Sequence, residues 1–170
     1  MRISDQQLRA DRLVFYANDV ERLDAELDGF LELSGAKCAL LIDREGHLVT
    51  RRGEADSGSL DSLAALIAGS FAATREMARL LGEEEFSTMS HQGNHHSIQL
   101  SLIGQRTLLA ILWDERTNLG MVRFYAQETS RRLLAIFDDL VKAAEAGTRG
   151  GEDLAGDYSA QATAALDDLF

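Results

Sequence analysis

From Ser59 to Gly82 the apolar positions recur at helical spacing. Leu60, Leu63, Leu66, Ile67, Phe71, Met77, Ala78 and Leu81 fall on one broad side of a wheel turned by about 100° per residue, which predicts one long helix with a core-facing stripe. The opposite side carries Ala65, Ala68, Gly69 and Ala72, with charge only toward the ends at Asp61, Glu76 and Arg79. Such a face either admits another backbone at close range or is an alanine-rich exposed surface, alanine being the best helix former. Gly69 at mid-helix costs about 0.8 to 1 kcal/mol relative to alanine, a loss that a close contact would offset.

The remaining elements arrange themselves around that helix. Asn18 and Glu21 stand at capping-box spacing, and Val20, Leu23, Leu27, Phe30 and Leu31 continue a helical repeat that Gly35 stops. Lys37 to Asp43 is a continuous apolar run, as in a strand covered on both faces, and His47 to Arg52 is a more polar edge partner. The loop Gly53 to Gly58 leads to the central helix, with Ser57 or Ser59 as its cap. After the acidic corner Glu83 to Glu85, Phe86 to His91 reads as a weak strand. In His96 to Ile103, Ile98, Leu100 and Leu102 alternate with Ser97, Gln99 and Ser101, which predicts a half-buried strand. Gly104 and Gln105 fit a two-residue hairpin loop, and Arg106 to Trp113 is a second strand apolar on both faces. Leu119, Val122, Ala126, Thr129, Leu133, Ile136, Phe137, Leu140 and Ala144 trace a last amphipathic helix, capped near Thr117 or Asn118 and ending by Gly147. The order helix, two strands, helix, three strands, helix predicts a three-layer α/β/α domain with the two fully apolar strands at the centre of its sheet.

Composition narrows the function classes. A net charge of -11 argues against nucleic acid or an anionic membrane as partner, since both reward basic patches. The lone Cys38 makes no internal disulfide and no charged-then-apolar leader opens the chain, so the expected location is the cytoplasm. Residues 13–146 form the expected domain, after an N-terminal extension over 1–12. Beyond Ala146, Glu152, Asp153, Asp157, Asp167 and Asp168 stand against Arg149, and 147–170 reads as a flexible acidic tail.

Chemistry of its own is not expected. The chain has no GxxxxGK[ST] or GxGxxG phosphate loop and no G-x-S-x-G elbow. His91, His95 and His96 cluster without a paired cysteine or an H-E-x-x-H signature, so they read as polar turn residues rather than a zinc site. Cys38 opens a buried strand and reads as a small core residue. No metal, no cofactor and no catalytic residue is expected.

The segments KCALLIDREGHLV, SLAALIAGSFAATREMARLLGEEEF, HQG and LLAILWDERTNLGMVRFYAQETSRRLLAIFDDLV resemble the roadblock (dynein light chain-like) domain family over roughly residues 13–141. Within it they are most similar to the bacterial MglB proteins, partners of the Ras-like GTPase MglA, and the closing ALDDLF is similar to the end of those proteins. The resemblance implies a five-stranded antiparallel sheet of order 2-1-5-4-3, with the first and last helices on one face and the central helix on the other. It implies a homodimer with central helices side by side and third strands paired. It further implies a GTPase-activating protein, not an enzyme in its own right, that binds the GTP form of an MglA-type small GTPase in cell polarity or gliding motility. Carried onto this chain, the docking surface is Ala65, Ala68, Gly69, Ala72 and Glu76. Leu166, Leu169 and Phe170, spaced i, i+3 and i+4, are either a further GTPase anchor that orders on binding or part of a solvated acidic end. Two other classes compete: a scaffold that tethers a GTPase without altering hydrolysis, and a small-molecule sensor, for which the apolar strands offer no convergent polar residues.

Overall fold

A computed structural model describes residues 17–54 and 59–167, with side chains described over 18–54 and 59–146. The expected extension over 1–12 and the apolar island Leu13 to Tyr16 lie outside the described residues. The elements are α1 (Ala17–Ser34), β1 (Cys38–Asp43), β2 (Leu48–Gly53), α2 (Leu60–Leu80), β3 (Thr88–Gln92), β4 (Ser97–Ile103), β5 (Thr107–Trp113) and α3 (Leu119–Asp167). Two compact units divide the chain, Tyr16–Ile136 and a second that takes in Phe137 and the helix beyond it.

All five strands form one antiparallel sheet of order β2-β1-β5-β4-β3, the order the family resemblance implies. The two strands apolar on both faces, β1 and β5, lie side by side at its centre, where Leu40, Leu41, Ile42, Leu108, Leu109 and Ile111 are fully buried. Successive residues of a strand face opposite ways, so these runs demand cover on both sides. On one side Cys38, Leu40 and Ile42 of β1 and Leu108 and Ala110 of β5 pack against Leu60, Ala64, Ile67 and Phe71 of α2. Thr50 and Arg52 of β2 are in register with Leu41 and Ala39, and they reach the other layer. There the Thr50 hydroxyl donates to Asp24 of α1, and Arg52 makes two bonds to Asp28, at 2.7 and 2.8 Å. Thr117 joins the start of α3 to the end of α1 by donating to the Ser34 carbonyl at 2.6 Å.

Local chemistry accounts for the element ends. Asn118 caps α3 as expected, its Oδ1 accepting from the Met121 N–H at 3.1 Å. Ser59 stands at the cap position of α2 but makes no side-chain bond there. α2 closes in a Schellman turn in which Gly82 takes φ +80° and the Glu83 N–H reaches the Ala78 carbonyl at 2.9 Å. That turn and the β1–β2 turn are clasped together, because Arg44 Nη2 donates to both oxygens of Glu85 at 2.9 Å.

Three expectations are corrected. The β4–β5 loop holds Arg106 as well as Gly104 and Gln105, since the strands pair only from Ile103 and Thr107 onward. The last helix does not end by Gly147: helical backbone continues to Asp167, because glycine weakens a helix without forbidding it and no proline interrupts the segment. The face of β4 that carries Gln99 and Ser101 was expected in solvent, and both side chains are buried. Among the described residues no helix is long and apolar enough to cross a membrane.

Gly53 supplies a direct check on this packing. It ends β2 with φ +93°, and a Cβ there would stand 2.3 Å from the Lys37 carbonyl oxygen and 3.0 Å from Cys38 Cα. Gly53→Ala should therefore destabilise the protein by about 2 kcal/mol or more, read as a lowered urea midpoint with an unchanged slope.

Candidate functional site

The sheet-facing side of α2 is narrower than its hydrophobic pattern suggests. Leu60, Ala64, Ile67, Ala68, Phe71, Thr74 and Ala78 are buried. Of these, Leu60, Ala64, Ile67 and Phe71 pack in one cluster with residues of β1 and β5. Leu66, Met77 and Leu81, expected in the core stripe, are exposed, Leu66 to 71 %. Ala68, expected on the docking face, points into the core and is 6 % exposed. The Thr74 hydroxyl is satisfied within the helix, donating to the Phe71 carbonyl at 2.7 Å.

Ala65, Gly69, Ala72 and Glu76 lie on the exposed side, and a Cβ built on Gly69 would meet nothing within 4 Å. Nothing in the described chain thus provides the close contact that would offset Gly69. Ala65 is approached from one side by the β1–β2 turn, where a Cβ on Gly46 would stand 3.0 Å from Ala65 Cα. Beside the small residues runs a second stripe of Leu66, Ala73, Met77 and Leu80, with Leu80 87 % exposed. Sequence reasoning assigned its large members to the core or passed over them. Their recurrence on one helical line, offset from Leu60, Ile67, Phe71 and Ala78, was the available signal. Next to this stripe a groove of about 440 Å³ opens between α2 and the sheet, lined by Leu66, Ile67, Ile98, Leu100 and Leu112 with His91 and His96 at its rim.

Charge on this surface is locally paired. Arg79 Nη1 lies 2.9 Å from Glu76 Oε1, one turn away, and Arg75 Nε lies 3.7 Å from Glu85 Oε1. Both arginine side chains remain about half exposed, at 46 % for Arg75 and 59 % for Arg79, so these pairs restrain them without burying them.

The other singled-out groups lie elsewhere. His91 is on β3, and His95 and His96 are exposed near the β3–β4 turn. Asp43, Glu45 and His47 bring ligand-type atoms within 4.8 Å of one another, but Asp43 Oδ1 is already the acceptor for the Glu45 and His47 N–H groups, at 3.0 and 2.8 Å. That carboxylate builds the turn. Cys38 is buried in β1, and burial pushes its thiol pKa up, away from a reactive thiolate. Asp114, hydrogen-bonded by the Arg116 side chain and backbone, is held below the usual carboxylate range. Leu166, Leu169 and Phe170 lie outside the residues whose side chains are described.

Comparison with known proteins agrees with this architecture. The Roadblock/LC7 domain family profile matches residues 23–112. The solved structure of gliding protein MglB from Thermus thermophilus superposes with a TM-score of 0.70 at 35 % sequence identity, over 74 % of this chain and 96 % of that one. MglB of Myxococcus xanthus gives 0.70 at 34 % identity, over 75 % of this chain and 96 % of that one. An MglB with a tetrameric arrangement gives 0.71 at 33 % identity over the same shares, 75 % and 96 %. No curated protein sequence matches the chain. Taken with the α/β/α layering and the 2-1-5-4-3 sheet, these matches establish that the chain belongs to the Roadblock/LC7 domain family and is of the MglB type.

Proposed function

We propose that this chain is a homodimeric GTPase-activating protein for a Ras-like small GTPase of the MglA type, acting on the GTP form in bacterial polarity or gliding motility. The observation that carries the reading is the outer side of α2. A helix facing only water would present lysines, glutamates and glutamines there, whereas this one presents Ala65, Gly69, Ala72 and Ala73 with Leu66, Met77 and Leu80 alongside. The similarity to MglB structures supports the choice of partner.

Dimerisation follows from what a single copy leaves open. Among the described residues β3 has β4 as its neighbour on one side and no strand on the other, and an unpaired edge invites pairing with a second copy. Joining two β3 edges would set two α2 helices side by side across the seam and cover Leu66, Met77 and the groove beside them. Ala65, Gly69, Ala72 and Glu76 would then face outward as a smooth surface on which the GTPase docks.

Activation proceeds without a donated arginine. An arginine supplied in trans to a GTPase accelerates hydrolysis by about 10³ to 10⁵, and it must extend into the nucleotide site. Arg75 and Arg79 sit on a rigid helix, and each is held by a neighbouring glutamate. The dimer surface instead favours the GTPase conformation whose own catalytic groups are aligned, a shift of population toward a competent state. Scaffolding without activation is the alternative that a hydrolysis assay would expose.

Light scattering at micromolar concentration should give the mass of a dimer, and a monomer would remove the paired-helix surface. Ala72→Arg should abolish binding to the GTP-bound partner while leaving circular dichroism and melting unchanged, because a guanidinium can neither fit nor be cheaply desolvated on a close-packed small-residue face. In single-turnover hydrolysis at saturating activator, Arg75→Ala and Arg79→Ala should each stay within about fivefold of the unaltered protein. A loss of about a hundredfold with affinity intact would mean that an arginine is donated. Tight binding with hydrolysis no faster than that of the GTPase alone would mean a scaffold.

A further inference from the structure

β4 divides two chemically different spaces. Ile98 and Leu100 border the apolar groove under α2, while Gln99 and Ser101 face the opposite way and border a second, polar groove of about 670 Å³. Its floor is Gln99 and Ser101 of β4 with Thr88 of β3, which pairs with Ser101 in register. Its wall is the first turns of α3, which contribute Arg123, Gln127, Ser130 and Arg131.

The floor is buried yet not satisfied. Gln99 is 2 % exposed and Ser101 7 %. Gln99 Nε2 lies 3.3 Å from Ser101 Oγ, whereas among the described residues Gln99 Oε1 has no hydrogen-bond partner, and neither does Ser90 Oγ on the residue paired with Gln99 across the strands. Turning the amide over exchanges its two ends and leaves one of them unpartnered all the same. A buried amide with an open valence destabilises a fold, and leucine at this position would avoid the deficit. Groups of this kind concentrate where a ligand completes them.

The charges at the rim indicate what that ligand carries. In a chain of net charge -11, two arginines line this one groove. Arg123 has no ion-pair partner among the described residues, and Arg131 makes only exposed contacts, 3.5 Å to Glu128 and 3.4 Å to the Gln127 carbonyl. Guanidinium groups suit carboxylate or phosphate oxygens, which they can engage with two parallel bonds.

We propose that this groove binds a small anionic molecule bearing a hydroxyl or amino donor, its anion held by Arg123 and Arg131 and its donor satisfying Gln99. The site lies on the sheet face away from α2, so an occupant leaves the outer surface of α2 free. It does not depend on the GTPase reading.

The test is titration calorimetry on the full chain with L-malate, L-glutamate and glycerol phosphate in turn, each up to about 10 mM. The first two probes supply a carboxylate and the third a phosphate, so the arms separate the two sources of the anion. At least one should bind, and Arg123→Gln and Gln99→Leu should each weaken it about tenfold or more. Arg123→Gln alters an exposed side chain and should melt as the unaltered protein does, whereas ligand-free Gln99→Leu should melt at the same or a higher temperature. Undiminished affinity in Arg123→Gln overturns the site, as does the absence of heat from all three probes, which would leave ordered water as the partner of Gln99. Hexaglutamate binding more than about tenfold tighter than glutamate would also overturn it, in favour of an acidic protein segment.

Discussion

Burial of β1 and β5 on both faces is the constraint from which the rest of the structure follows. Leu40, Leu41 and Ile42 in one strand and Leu108, Leu109 and Ile111 in the other have no accessible side, and each such side chain contributes about 1.5 to 3 kcal/mol when removed from water. A single layer of helices would expose half of them. The fold therefore needs α2 on one side and α1 on the other, and it places these strands where each has a strand neighbour on both flanks. The polar strands β2 and β3 are left for the edges, where Arg51 and Arg52 or His91 and Gln92 can reach solvent.

The narrow buried line of α2 on that central pair leaves the candidate docking surface uncovered. Leu60, Ala64, Ile67 and Phe71 meet β1 and β5, and with Ala68, Thr74 and Ala78 they make up the buried residues of the helix. Leu66, Met77 and Leu80 lie off that line and are exposed. The surface formed by Leu66, Met77 and Leu80 beside Ala65, Gly69 and Ala72 is the part of the same helix that this line leaves uncovered. Its far end is fixed by the Schellman turn at Gly82 and by Glu85, which receives Arg44 from the β1–β2 turn and lies near Arg75.

β4 shows how one strand can serve two faces with different chemistry. Ile98, Leu100 and Leu102 belong to the apolar core under α2, and Gln99 and Ser101 carry amide and hydroxyl groups into a space bordered by α3. Neither face is the solvated one that simple alternation suggests. An apolar groove beside α2 and a polar groove bordered by α3 thus lie on opposite sides of one sheet.

Periodicity alone determined the element order, the central place of the two apolar strands and the existence of a helix with an uncovered side, because each depends on residues close together in the chain. Family resemblance carried by contiguous segments determined the strand order. Which residues of α2 are covered was decided only in three dimensions. Ala68 is buried and Leu66 exposed, the reverse of expectation, because the side of the helix that meets the sheet, not hydrophobicity, decides which side chains are covered. The burial of Gln99 and Ser101 was likewise a tertiary fact, since it depends on where α3 passes over β4, and alternation along β4 cannot report a neighbour that is far away in sequence. The length of α3 is not contained in its hydrophobic pattern, since no proline interrupts the segment and glycine weakens a helix without forbidding it.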